Sequence, residues 1–266
     1  MDALSKLPEA MDELLDGFMS HAIVGDTTVG FTQYLFWMCV AIALLLVVMF
    51  IFKKKQAESL VPKGLFVNGV EYVVEFARDD MCKSILGDTW KKHFPFITTL
   101  FFFILFNNIV GIIPGCHPGT GTIGVTAALA LCSFVYFIVL GCKRMGVIGY
   151  LKSLAPSGLA LPMRVMVWII ELFSTFLRLI TLAVRLFCNM FAGHVVMGTF
   201  AILATLFFEP LLQGFSVAAL GSAGASVFWV LILIVIYLVE ILVAVIQAYV
   251  FTLLSAVYIQ LVEQGE

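Results

Sequence analysis

Residues 168–200 read WIIELFSTFLRLITLAVRLFCNMFAGHVVMGTF. The stretch is apolar enough to lie in a bilayer, yet it holds Glu171, Arg178, Arg185, Asn189 and His194. An ionisable group at membrane depth costs on the order of 3 kcal/mol or more, faces a protein partner or a water-filled cavity, and marks an ion path. Glu171, Arg178 and Arg185 recur every seven residues. At about 100° per residue they share one helix face, drifting by about 20° per step. Asn189, at i+4 from Arg185, joins that face, whereas His194 comes nine residues after Arg185 and looks about half a turn away.

The rest of the chain supports a membrane setting. Hydrophobic residues make up 62% and charged residues only 12%, with a mean hydropathy of +1.09; soluble domains carry about 25% charged residues. The net charge of −2 says nothing about nucleic acid, no basic patch suggests it, and no nucleic acid is expected as a partner. The first residues are acidic and show no compact apolar core after a basic start, so they do not read as a cleaved signal peptide. Cys39, Cys82, Cys116, Cys132, Cys142 and Cys188 show no ligand spacing. Neither a disulfide framework, a metal site nor a cofactor is expected.

Hydropathy predicts an all-α integral membrane protein with about five spans. Residues 1–30 form a partly amphipathic leader with Met11, Leu14, Leu15 and Phe18 on one side, and residues 31–266 one membrane domain. The first span covers residues 31–52 and stops at Lys53, Lys54 and Lys55. Residues 61–94 mix charged and apolar residues at helical intervals and read as an interfacial amphipathic helix. The second and third spans are expected at 95–113 and 123–141. Residues 162–208 are almost continuously apolar and would exceed roughly 60 Å as a helix, about double the hydrocarbon thickness, so this span is tilted, broken or partly interfacial. A Gly/Ser/Ala-rich connector at 214–226 leads to a last long helix at 228–261, carrying Glu240 and Gln247. The last two spans form an antiparallel hairpin.

With five crossings, lysines and arginines at 53–92, 143–152 and Arg164 gather on one side, and Lys6 alone lies on the other. The positive-inside rule then places the N-terminus outside and the C-terminus in the cytoplasm or matrix. His194 lies about 13 Å outward of Arg185 along its helix, and Glu240 about 10 Å outward of Gln247 on the returning one. If Arg185 and Gln247 sit at similar depth, His194 and Glu240 meet on the outer side, and Glu171 and Arg178 lie on the inner side. That division suits two offset half-channels separated by a fixed positive charge. Each element also has a plainer reading: Glu171 and Arg178 neutralising each other, His194 a satisfied buried histidine, Glu240 a protonated carboxyl, Asn189 and Gln247 interhelical hydrogen-bond partners. Arg185 resists such a reading, because a guanidinium stays charged and needs an anion or water nearby.

Residues 178–194, RLITLAVRLFCNMFAGH, resemble the signature helix of subunit a of F-type ATP synthases, with its Arg-Leu-Phe-x-Asn-Met-x-Ala-Gly core. Asn108, Gly111 and Pro114 are similar to the family's Asn-x-x-Gly-x-x-Pro at the end of a span, and residues 247–258, QAYVFTLLSAVY, to its closing helix. The resemblance implies that Arg185 faces a rotating ring of c subunits and its Asp or Glu carboxylates. It implies Asn189, Thr181, Glu171 and Arg178 at the inner half-channel, His194 and Glu240 as the coupled outer pair, and Gln247 packed near the arginine. In some members the carboxylate and imidazole of that outer pair stand in the opposite order. Leu179 replaces a common proline and Cys188 a frequent glycine. Peripheral-stalk b subunits, the remainder of the complex and the lipid bilayer are the implied partners, and ATP chemistry is implied to lie in other subunits. A bacterial plasma membrane or an organellar inner membrane follows. A stand-alone proton-coupled transporter is the alternative; it would usually show internal repeats, and none is visible.

Overall fold

In lipid every backbone polar group must be satisfied inside the protein, which leaves helices as the natural choice for so apolar a chain. The computed structural model describes residues 6–17, 22–24, 31–58, 64–153, 161–213 and 217–264. Its helices are α1 (Leu7–Gly17), α2 (Gln33–Glu58), α3 (Leu65–Phe76), α4 (Trp90–Ile112), α5 (Ile123–Met145), α6 (Val147–Ser153), α7 (Leu161–Gln213) and α8 (Val217–Gln264). Between α3 and α4 the chain stays helical through a π turn (Ala77–Lys83) and two short turns (Ser84–Leu86 and Gly87–Thr89). A small antiparallel pair, β1 (Ala22–Val24) with β2 (Phe31–Thr32), sets Ala22 opposite Thr32 and Val24 opposite Phe31. Among the described residues five helical stretches are long and apolar enough to cross a membrane. The chain is an all-α integral membrane protein.

Two boundaries differ clearly from the sequence reading, and of the arrangements open to residues 162–208 the broken helix is not the one formed. The second span begins at Trp90 rather than 95, because Pro95 sits only in the second turn of α4, where it forgoes just the bond to the Lys91 carbonyl near the helix start. The interfacial stretch therefore runs into this span without a break. The last helix begins at Val217, well before 228. Small residues tolerate close helix contact in lipid, and the Ser226 hydroxyl donates to the Ala204 carbonyl at 2.6 Å. Finally, α7 is continuous for 53 residues, with Pro210 near its end. At about 1.5 Å per residue it measures roughly 80 Å, so it runs obliquely to any bilayer of about 30 Å.

α4 is the most enclosed helix, with Phe101, Ile104, Asn107 and Asn108 at 2% exposure or less. Its end explains the Asn-x-x-Gly-x-x-Pro pattern. Asn108 donates to the Ala244 carbonyl of α8 (3.3 Å) and accepts from the Thr120 hydroxyl (2.7 Å), tying helix, loop and hairpin together. Gly111 lies so close to Pro118 that no side chain fits between them, and Ile113 turns extended ahead of Pro114. On α5 the buried stripe Thr126, Ala130, Ser133, Phe137 and Gly141 meets α8, where the Ser133 and Ser255 hydroxyls pair at 2.8 Å. α7 and α8 form the expected hairpin. Ala244, Ala248 and Phe251 of α8 and Leu186 and Met190 of α7 are fully enclosed.

The described leader helix α1 is docked along the C-terminal part of α7. Leu14 packs against Gly198, the Thr199 hydroxyl donates to the Met11 sulfur (3.5 Å), and Lys6 pairs with Glu209 at 3.1 Å. Leu15 is 41% exposed, and Phe18 lies outside the described residues.

Candidate functional site

Arg185 stands on the outer face of the α7–α8 hairpin, exposed, while its neighbours Leu182, Ala183 and Leu186 turn inward. Around it the surface is apolar: Leu177, Ile180, Val184 and Phe191 of α7 are each about two-fifths exposed. Among the described residues no carboxylate lies within 4 Å of its guanidinium, whereas Arg178 one heptad earlier pairs with Glu171 at 2.9 Å. A permanent cation is thus displayed on a lipid-like surface without a counter-ion among the described residues.

One turn on, Asn189 points across the hairpin and donates to Gln247 Oε1 at 2.7 Å. Gln247 is almost fully buried, and among the described residues its Nε2 finds no acceptor. The contact fixes the depth of α8 against α7, placing Gln247 level with the turn that carries Arg185. The antiparallel run of the two helices then brings Glu240 to the turn of α7 that carries Gly193 and His194. The Glu240 carboxyl packs directly on Gly193, the residue before His194, and fills the space a side chain there would take. Glu240 is 6% exposed, and its Oε1 has no hydrogen-bond partner among the described residues. An acceptor so enclosed is satisfied by carrying a proton or receiving one from a neighbour.

The polar residues N-terminal to Arg185 on α7 divide. Glu171 and Arg178 are joined by their ion pair, and the Arg178 guanidinium also lies 5.4 Å from the Tyr258 ring centre. The Thr181 hydroxyl is turned back on its own helix, donating to the Leu177 and Arg178 carbonyls at 3.0 and 3.2 Å. It stays on the exposed face beside Arg185 and touches neither Asn189 nor Glu171. So of the eight residues singled out from sequence, two pairs are bonded, one pair is brought to neighbouring positions, and Arg185 and Thr181 face outward.

Two features escape the sequence. His117, in the loop after α4, comes near His194, and its ring rests on Tyr34, 5.3 Å between centres. At the opposite end, fully buried His93 bonds Tyr136 (2.9 Å) and Glu263 (3.2 Å), linking α4, α5 and α8. These residues are far apart in sequence and carry no common spacing, so only the packing reveals them. All six cysteines are unpaired thiols, and among the described residues no group of His, Cys, Asp and Glu could hold a metal ion.

The chain matches the ATP synthase A chain family over residues 35–260. It belongs to that family. It is 36% identical over 247 residues to ATP synthase subunit a of Chlorobium phaeobacteroides, covering 92% of this chain and 68% of the relative. Identity is also 36% over 252 residues to ATP synthase subunit a of Myxococcus xanthus, with 94% and 76% covered, and over 250 residues to ATP synthase subunit a 2 of Prosthecochloris aestuarii, with 93% and 73%. The family match runs from the start of α2 to the last turns of α8, and so takes in every membrane-crossing stretch and the whole Arg185 region.

Proposed function

We propose that this chain is the proton-translocating stator subunit of an F-type ATP synthase, sitting against a rotating c-subunit ring and held by peripheral-stalk b subunits. The observation that carries the reading is the Arg185 guanidinium, exposed on an apolar helix face and without a carboxylate from its own chain within 4 Å among the described residues. Such a cation asks for an anion from outside, and the Asp or Glu of a c subunit supplies one.

The geometry suggests a route. From the outer side a proton passes the His117, His194 and Glu240 region and neutralises a ring carboxylate. The neutral carboxyl can travel through lipid, which a bare carboxylate could do only at high cost. On returning to the stator it meets the field of Arg185, where an opposite charge at about 4–6 Å favours ionisation by roughly 1–3 pKa units. The released proton leaves inward past Asn189, Thr181 and the Glu171–Arg178 pair. Arg185 also keeps protons from hopping straight between the two paths, since a fixed cation raises the barrier for a second one. The Asn189–Gln247 bond supports this by holding the arginine turn at constant depth. Torque on the ring follows, and ATP chemistry belongs to other subunits.

The bacterial relatives and the lysine distribution favour a bacterial plasma membrane, N-terminus outside and C-terminus in the cytoplasm. The test is ATP-driven acidification of inverted vesicles holding the assembled complex. Arg185→Ala is expected to abolish pumping while assembly and ATP hydrolysis persist. Normal pumping by the variant would make Arg185 structural and remove the basis of the reading.

A further inference from the structure

An uncovered groove of about 790 Å³ runs along one side of α5. Its wall is Leu131, Val135 and Val139, each 43–50% exposed, and its mouth holds Lys92, Lys143 and Arg144. These α5 residues recur every four positions on one helix. From 131 to 143 they span about 18 Å, close to the depth of one leaflet of a bilayer about 30 Å thick. The groove therefore begins near mid-membrane and opens at the surface where α4 starts and α5 and α8 end. By the lysine distribution this is the inner surface.

The charges at the mouth do not cancel. Glu263 is the one carboxylate lining the groove. It is shared by Lys92 (3.4 Å), Arg144 (3.8 Å) and His93 (3.2 Å). Arg144 spends a further bond on the Val262 carbonyl at 3.0 Å. Lys143 has no carboxylate within 4 Å among the described residues. Three cations against one anion leave two positive charges in excess above an apolar wall one leaflet deep.

We propose that this groove binds an anionic phospholipid, its phosphate held by Lys143, Arg144 and Lys92 and an acyl chain lying along Leu131, Val135 and Val139. Basic pockets between helices at the inner membrane surface suit such headgroups. A zwitterionic lipid offers no net charge to balance the excess, and an apolar partner helix would cover the wall but leave Lys143 uncompensated. The bound lipid braces the ends of α4, α5 and α8 where His93 and Glu263 already join them. The inference is independent of the proton path.

The experiment uses the assembled complex in vesicles containing phosphatidylglycerol and phosphatidylcholine, one of them at a time carrying a photoactivatable group in its acyl chain. Cross-linked peptides are then mapped by mass spectrometry. Phosphatidylglycerol is expected to label residues 131–139 at least ten-fold more than phosphatidylcholine at equal content. Near a surface each lysine is worth roughly a five-fold change in binding, so Lys143→Gln lowers that labelling about five-fold, Lys143→Glu about 25-fold, and Lys143→Arg leaves it intact. Leu131→Trp fills the wall without changing charge and also reduces it. Equal labelling by both lipids, or unchanged labelling in Lys143→Gln, overturns the proposal. So does protection of the groove from both lipids in the wild-type complex, which would assign it to a partner helix.

Discussion

Replacing Gly193 by alanine tests the proposed role of His194 and Glu240 more directly than removing either of them. A methyl group at 193 would fall within the van der Waals shell of all three terminal atoms of the Glu240 carboxyl. Neither helix has room to retreat: Leu186 and Met190 on α7 and Ala244 on α8 are completely enclosed. The strain must therefore be taken up by the Glu240 side chain, which leaves its position against Gly193. Overpacking of this kind costs about 1–3 kcal/mol. If the displaced carboxyl must return for each proton to pass, 2 kcal/mol corresponds to roughly a thirty-fold slower uptake. ATP-driven quenching of a pH-sensitive dye in inverted vesicles measures the change, with ATP hydrolysis by the same vesicles as the assembly control. Adding Glu240→Asp withdraws the carboxyl by about one C–C bond, near 1.5 Å, and should recover at least ten-fold of the loss. A Gly193→Ala variant that pumps at the wild-type rate, or a double variant no better than the single one, would refute the idea that this contact sets the position of Glu240.

Other expectations follow from single contacts. A double-mutant cycle of Asn189→Ala and Gln247→Ala should give a coupling of about 0.5–2 kcal/mol in thermal stability of the purified chain; strict additivity would mean the bond at 2.7 Å does not form in the membrane. Glu171→Gln should be tolerated better than Glu171→Leu in pumping assays, because an amide still accepts a hydrogen bond from Arg178 whereas leucine leaves that guanidinium without its partner. His117→Ala should slow pumping several-fold with hydrolysis retained, and no change would place His117 outside the route. Gly198→Leu should dislodge α1 from α7, seen as faster proteolysis at residues 7–17 in the folded protein; unchanged protection would argue against the Leu14–Gly198 contact.

The hairpin shows how far composition and periodicity reach. Helix class, number of spans and the existence of a long oblique pair are local matters: lipid forbids unsatisfied backbone, so an apolar run of sufficient length becomes a helix whatever it packs against. The expected order of Arg185, His194, Glu240 and Gln247 along the hairpin could be written for the same reason, since rise per residue is fixed and the two helices run antiparallel. Arg185 could be singled out because no burial makes a guanidinium neutral. Helix ends were less legible. Pro95 lies inside α4 and the small residues before Ser226 are helical, because in lipid a continued helix is cheaper than an open connector, against the rules that govern loops in water.

Sequence by itself determined what each span is made of and which polar side chains occur at each depth, because both depend on residues adjacent in the chain. Tertiary structure alone decided which of those side chains meet. Asn189 with Gln247, Glu240 against Gly193, His117 beside His194 and His93 with Glu263 each join separate elements. Their pairing depends on the rotation and offset of packed helices, which no periodicity within one helix can encode. The same applies to Thr181: the family resemblance implied a place for it near the inner half-channel, and packing left its hydroxyl on its own helix.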